Sequence, residues 1–391
     1  MSSKFSKIGF ILAVAGSAVG LGNAWKFPTL VGQSGGSAFI LLYIILTLGV
    51  GFVIFLAELS IGKISEKDPV NAYEKLAPSN KKAWSYVGFT MVGAILIVSF
   101  YTLVIGWIVK YVFLSITGNL PMDLEVSKAQ FGFFISEDFL SQFICFTLVF
   151  LCVFYIVSKG VKNGIEKLNV WMMPSLFILL ILMLVYAISK DGFIMAVKFL
   201  FVPDFSKINT SNVLEALGLA FFSLSLGVGT IITYSASLPD KTNFITSTLN
   251  IIFIFISLIF AGITSAVSMI EPFTFYLINT FGMSRKKALI LIGIVVYILG
   301  MLCILSSLKS TQFGFFGMSF FDLLDSVSSK VIMPLGGILA AIFVGFVMKK
   351  EALKILFKPY MRGIFFELWY VFLRFISPLA VVIVMIAAFL K

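Results

Sequence analysis

Two stretches of this chain carry residue types that could do chemistry. The first, AVAGSAVGLGNAWKFPTL at 13–30, sets Gly16, Gly20 and Gly22 in an apolar run, with Ser17, Asn23 and Lys26 among them and Pro28 just after. The second, LAFFSLSLGVGTIITY at 219–234, interrupts another apolar run with Ser223, Ser225, Gly227, Gly229 and Thr230. In lipid, unpaired backbone groups are so costly that an opened helix survives only buried in protein or lining a polar cavity. Its freed carbonyls can then bind a cation, and the freed N–H groups at a half-helix start can bind an anion. Three glycines within seven residues permit the first opening. The chemistry read here is therefore non-covalent: backbone oxygens turned toward a cation and backbone amides toward an anion.

The rest of the composition sets the medium. Of 391 residues, 60% are hydrophobic and 12% charged, and the mean hydropathy is +1.08. Soluble domains carry roughly 25% charged residues, so this is a polytopic protein whose solvent is the bilayer. The net charge of +11 is then no nucleic-acid signal but a marker of cytoplasmic loops. The chain has no histidine, which removes His relays, His triads and most metal sites. Cys145, Cys152 and Cys303 sit singly in apolar runs, so neither a disulfide framework nor a Cys metal site is expected. MSSKFSKIGF shows no small-residue cleavage site, and the first apolar stretch reads as helix 1 rather than a leader.

About ten segments are long and apolar enough to span, near 8–30, 39–62, 87–114, 139–158, 170–189, 213–237, 244–270, 287–308, 331–348 and 366–390. Lys4 and Lys7, Lys63 to Lys82, Lys159 to Lys167, and Lys349 to Arg362 all fall on one side if the N-terminus is cytoplasmic. Segment 244–270 breaks the alternation. Lys241 precedes it and Arg285, Lys286 and Lys287 follow it, so both ends carry a cytoplasmic label. Either this stretch does not cross once, or a crossing is absent.

Two interrupted segments in corresponding halves point to an inverted-repeat transporter with its site near the midplane. The chain resembles the neurotransmitter:sodium symporter family, in its bacterial amino-acid branch; that family is itself a standing example of the rule. GFILAVAGSAVGLGNAWKFPTLVGQSGGSAF is similar to the family's first-helix signature. GIEKLNVWMMPSLFILL, FFSLSLGVGTIITYSASLPD, AGITSAVSMIEP and FFDLLD resemble later segments, in the family's order. The resemblance implies an all-α, five-plus-five inverted-repeat fold with helices 1 and 6 broken, one transporter domain over 1–391, and no enzyme activity. It implies sodium-driven uptake of an amino acid or related amine across the bacterial cytoplasmic membrane.

It also implies roles for particular residues. The substrate carboxylate would meet N–H groups near Leu21 and Gly22 and the Tyr101 hydroxyl. The ammonium would meet carbonyls near Ala18 and in the opened 222–225 stretch. Ile97, Phe222, Ser225, Val228, Ser265 and Met269 would complete the pocket with Tyr101. One sodium would use the Ala18 carbonyl, Asn23 and Ser223. A second would use the Gly16, Val19 and Ala261 carbonyls with Thr264 and Ser265. These are hard oxygen ligands, as a group 1 cation requires. Lys26 and Asp325 would form the outer gate, where the family usually has Arg; a lysine makes a point contact, so a looser gate is expected. Gly164 and Pro174 match a Gly-to-Pro motif in helix 5 that is thought to unwind and admit water to the second sodium.

The chain also departs from the family. TYSASLPDKTNFITSTLNIIFI resembles the end of helix 6 and the start of helix 7, and FISLIFAGITSAVS already resembles the later part of helix 8. Most of one helix and its outer loop look excised, leaving 244–270 as a fused remnant. Asn250 is the nearest polar residue to the missing first-sodium ligand. A single helix rising from Lys241 would carry Thr264 and Ser265 in the wrong direction, and the inner gate's acid falls on Asn279. Impaired coupling is expected, and a non-transporting binding or regulatory protein of the same fold is the alternative. Chloride dependence is not legible. Glu58 and Glu271 are read as lying near cytoplasmic helix ends, where a solvated structural role competes with a functional one.

Overall fold

The computed structural model describes residues 6–18, 26–117, 119, 121, 123–237, 260–311, 313–361 and 363–389. The first segment contributes two helices, α1 (Lys7–Ala18) and α2 (Phe27–Gln33), the latter opened by Pro28 at a position where the missing N–H costs nothing. Helix α3 (Ser37–Ser65) passes through one π turn at Thr47–Gly51 and stops where Glu66 turns left-handed. Asp68 then caps α4 (Pro69–Leu76) by accepting the Asn71 N–H at 3.2 Å. Helix α5 (Val92–Ile116) packs against α6 (Phe139–Ser158). A π turn at Val161–Glu166 leads into α7 (Lys167–Ile188), which keeps its course through Pro174.

The second interrupted segment is two helices, α8 (Thr210–Ser223) and α9 (Thr230–Ala236). Asn209 and Asn212 start α8 with a reciprocal capping box. Ser225, Gly227 and Gly229 end it, with φ of 53, 75 and 74°. Three left-handed residues in five cannot continue a right-handed helix. Gly227 is also required by space. A Cβ there would lie 1.9 Å from the Met333 carbonyl oxygen.

Helix α10 (Phe260–Phe281) carries the residues expected to end at 270. It runs on through Pro272, so the 244–270 boundary is corrected at its far end; 244–259, Asn250 included, lie outside the described residues. The turn before Pro272 is buried, with the Ser268 hydroxyl donating to the Thr264 carbonyl at 2.7 Å and accepting from Tyr234 at 2.7 Å. Gly282, at φ 64°, terminates α10. Ser284 then starts α11 (Arg285–Ser307). Arg285 donates to the Val157 carbonyl at the end of α6, so α10 descends toward the end of the bundle that carries Lys159.

Between α11 and α12 (Phe320–Val347) sits a two-stranded hairpin, with Gly314 opposite Ser319 and Phe315 opposite Met318. It corrects the all-α expectation in this one place. Phe316 and Gly317 are both left-handed, which is what a two-residue hairpin turn demands. The last spanning helix is α13 (Ile364–Ile383). Among the described residues, six helices are long and apolar enough to cross a membrane.

One contiguous core cluster joins α1, α3, α5, α9 and α10, with Phe55, Tyr101, Phe146, Phe221 and Phe343 fully buried. Leu182 and Val185 of α7, by contrast, are exposed, an apolar face left for lipid.

Candidate functional site

The site is built where α1 ends, α8 breaks and α10 passes. The Thr264 and Ser265 hydroxyls of α10 both donate to the Gly16 carbonyl, at 3.0 and 2.8 Å. Ser265 also reaches the Ser17 carbonyl at 3.1 Å. From the break, Ser225 donates to the same Ser17 carbonyl at 2.9 Å, and the Ser17 hydroxyl donates to Ser225 Oγ at 3.0 Å. This pair explains how a non-glycine residue holds a left-handed φ. The strain of about 1–3 kcal/mol is offset in part by these two buried hydrogen bonds. Thr264, Ser265, Ser225 and Ser17 are all at most 2% exposed.

Below the break, Glu58 of α3 enters the site. One carboxylate oxygen accepts the Gly227 N–H at 2.7 Å, while Oε2 is buried without a partner among the described residues. Glu58 is 1% exposed, so its expected place at a solvated helix end is corrected: it holds the opened backbone. The signal in the sequence is an acid inside FVIFLAELSIG, flanked on both sides by apolar residues. Glu271 is likewise buried. Arg285 grips both of its oxygens and the Val157 carbonyl, so it is an internal ion pair rather than a solvated acid. Asn279 donates to Asp68 at 3.0 Å.

The pocket residues Ile97, Tyr101, Phe222, Val228 and Met269 share the core cluster, with the Tyr101 and Phe222 ring centroids 6.3 Å apart. Val228 lies against Gly93 of α5. Ser223 is buried and shares a hydrogen bond with Tyr43. Above Phe222, Lys26 meets Asp325, and its ammonium reaches both carboxylate oxygens, at 3.0 and 2.7 Å. The contact is made by a single nitrogen, the point charge expected of a lysine. Lys26 also lies 5.8 Å over the Phe222 ring. A cavity of about 400 Å³ opens on this side, lined by Lys26, Glu215, Phe222, Asp325 and Lys330.

Val19, Leu21, Gly22 and Asn23 lie outside the described residues. Ala18 and Ala261 are placed only as helical backbone at the end of α1 and the start of α10. Gly164 sits in the π turn, where a Cβ would come 2.2 Å from the Ile156 carbonyl oxygen, and Pro174 lies further along, inside α7. Asn169 lies between them. It is fully buried, and its signal is an amide inside the Gly164–Pro174 stretch.

The donor set at Gly16 consists of a carbonyl and two hydroxyls, hard oxygens without charge, which suits a monovalent cation. Among the described residues no cluster of His, Cys, Asp and Glu could hold another kind of metal. The sequence profile of the Sodium:neurotransmitter symporter family matches residues 3–130 and 138–254. The chain belongs to this family. An uncharacterized sodium-dependent transporter, YhdH of Bacillus subtilis, is 32% identical over 97% of this chain and 96% of its own. One from Haemophilus influenzae is 30% identical over 98% and 97%. The crystal structure of MhsT in complex with L-phenylalanine superposes with a TM-score of 0.89 at 32% identity, covering 99% of this chain and 100% of that one. The chain is accordingly a multi-pass membrane protein of a sodium-dependent transporter family, not an enzyme. Its helices share the MhsT architecture.

Proposed function

We propose that this protein is a symporter that couples inward sodium movement to uptake of an amino acid or related small amine, its 391 residues forming one transporter domain of about ten segments with the N-terminus cytoplasmic. The observation that carries this reading is the meeting of Gly16 and Ser17 with Ser225, Thr264 and Ser265 at the left-handed break of the second segment. Backbone carbonyls there are offered to hydroxyls that can share them with a cation.

A sodium ion would be held by the Gly16, Val19 and Ala261 carbonyls with Thr264 and Ser265, and another by the Ala18 carbonyl, Asn23 and Ser223. When bound, sodium supplies positive charge beside the substrate carboxylate. The carboxylate would meet the Leu21 and Gly22 amides and Tyr101, and the ammonium the carbonyls of Ala18 and of 222–225. Tyr101, Phe222, Ile97, Val228 and Met269 would enclose the side chain. Lys26 and Asp325 would close the outer path, and Gly164 and Pro174 would let helix α7 yield on the inner side. Each charge crossing a 100 mV potential contributes about 2.3 kcal/mol to the work. L-Phenylalanine in MhsT makes a zwitterionic amino acid the first substrate to try.

A shortened 240–270 region remains part of this proposal. In support, the alignment with the Bacillus subtilis relative runs over 440 positions, more than the 391 residues of the chain, so tens of the relative's positions face no residue here. That favours a second reading, a protein of the same fold that binds substrate without completing transport. Proteoliposomes decide between them. Sodium-gradient-driven uptake of a labelled amino acid, lost in Thr264→Ala, supports symport. Sodium-dependent binding without uptake or counterflow supports the second reading, and the absence of both refutes the two together.

A further inference from the structure

The amide of Asn169 is fully buried, and its two ends are used unequally. Nδ2 donates to the Ile165 carbonyl of the preceding π turn at 2.8 Å, while Oδ1 has no donor among the described residues. Turning the amide over would set oxygen against the Ile165 oxygen, acceptor on acceptor, so the hydrogen bond fixes which end faces helix α1. That oxygen lies against Gly16. The spot a Cβ on Gly16 would occupy is 1.9 Å from Asn169 Oδ1 and 3.0 Å from Thr264 Cβ, so both side chains converge on the residue whose carbonyl receives Thr264 and Ser265. Only a glycine at 16 lets the oxygen come so close.

We propose that Asn169 Oδ1 is a further ligand of the cation held at Gly16, Thr264 and Ser265. This rests on the symport reading above and adds helix α7 to the site. A buried acceptor without a donor is what a cation would complete, and a neutral amide oxygen matches the other ligands in hardness. Position 169 lies inside the Gly164–Pro174 stretch, so movement of that stretch would withdraw a ligand as well as open a path. The neighbouring Glu166 holds the start of α1 through the Ser6 amide at 3.2 Å and the Ser6 hydroxyl, so the 164–174 stretch is tied to α1 at that end.

The test is direct ²²Na⁺ binding to the purified full chain, with melting temperature measured in and out of sodium. Asn169→Leu keeps the volume but removes the oxygen; Asn169→Asp keeps the oxygen and adds charge. The expected result is a rise of about tenfold or more in the half-saturating sodium concentration for Asn169→Leu. Its melting temperature without sodium should be unchanged or higher, because the orphaned acceptor is gone. Asn169→Asp sets an oxygen against the Ile165 carbonyl, so its melting temperature without sodium should fall while sodium binding is retained. Native sodium affinity in Asn169→Leu, with binding lost in Thr264→Ala, overturns the inference and leaves the symport reading standing. Equal loss of sodium binding and of sodium-free stability in both Asn169 variants assigns the residue a packing role and also overturns it. A native chain that binds no sodium overturns the symport reading, and this inference with it.

Discussion

Gly227→Ala tests whether the chain is opened at 224–229. Gly227 has φ of 75°, a region where an L side chain costs about 1–2 kcal/mol. The new Cβ would also fall 1.9 Å from the Met333 carbonyl oxygen and 2.7 Å from its carbon, backbone atoms that cannot swing away. Forcing atoms into a packed interior costs roughly 1–3 kcal/mol more. The sum is about 2–5 kcal/mol, a drop on the order of 5 °C in melting temperature for a chain of this size. Gly336→Ala attacks the same contact from α12, with its Cβ 2.1 Å from the Gly227 oxygen, but Gly336 is helical and bears no left-handed φ. Its loss should be smaller, by about the 1 kcal/mol of helix propensity it gains and the conformational strain it escapes. Gly218→Ala in α8 meets nothing within 4 Å and should be neutral or stabilising by up to about 1 kcal/mol. The assay is fluorescence-detected melting of purified protein in detergent. A Gly227→Ala protein melting with the native chain would show that this stretch is not left-handed against α12, and the site built on it would fall.

Other outcomes follow from the same geometry. Glu271→Gln leaves Arg285 without its charged partner in a mostly buried site and should destabilise by about 3–5 kcal/mol, read as early melting. Lys26→Ala should hardly move the melting temperature, because its 2.7 Å pair with Asp325 is partly exposed and such pairs contribute about 0–1 kcal/mol; substrate off-rate is where it should show, and an unchanged off-rate refutes the gate. Asn279→Asp replaces a 3.0 Å hydrogen bond to Asp68 with two facing carboxylates, and should cost about 1–3 kcal/mol at neutral pH by the same melting assay.

Much of the fold was legible because its cues are local. The break at 224–229 follows from Ser225, Gly227 and Gly229 in an apolar run, and the membrane class follows from composition. Helix ends were less so. The segment expected to end at 270 continues through Pro272 to Phe281, because a proline removes one hydrogen bond and the turns on either side keep theirs. The polar partners of the site were harder still. Glu58, Asn169 and Glu271 each stand in an apolar helix, where sequence shows only that something must satisfy them.

Residue types and spacing alone determined that two segments could open in a bilayer and that hard oxygens would line the gap. Tertiary packing alone decided that Glu58 meets the Gly227 amide, that Asn169 faces Gly16, and that Lys26 lies between both oxygens of Asp325. The physical reason is range. Backbone breaks are set within a few residues by φ preference and hydrogen-bond supply. A side chain's partner is set by how helices far apart in the chain approach and rotate, which no local pattern encodes.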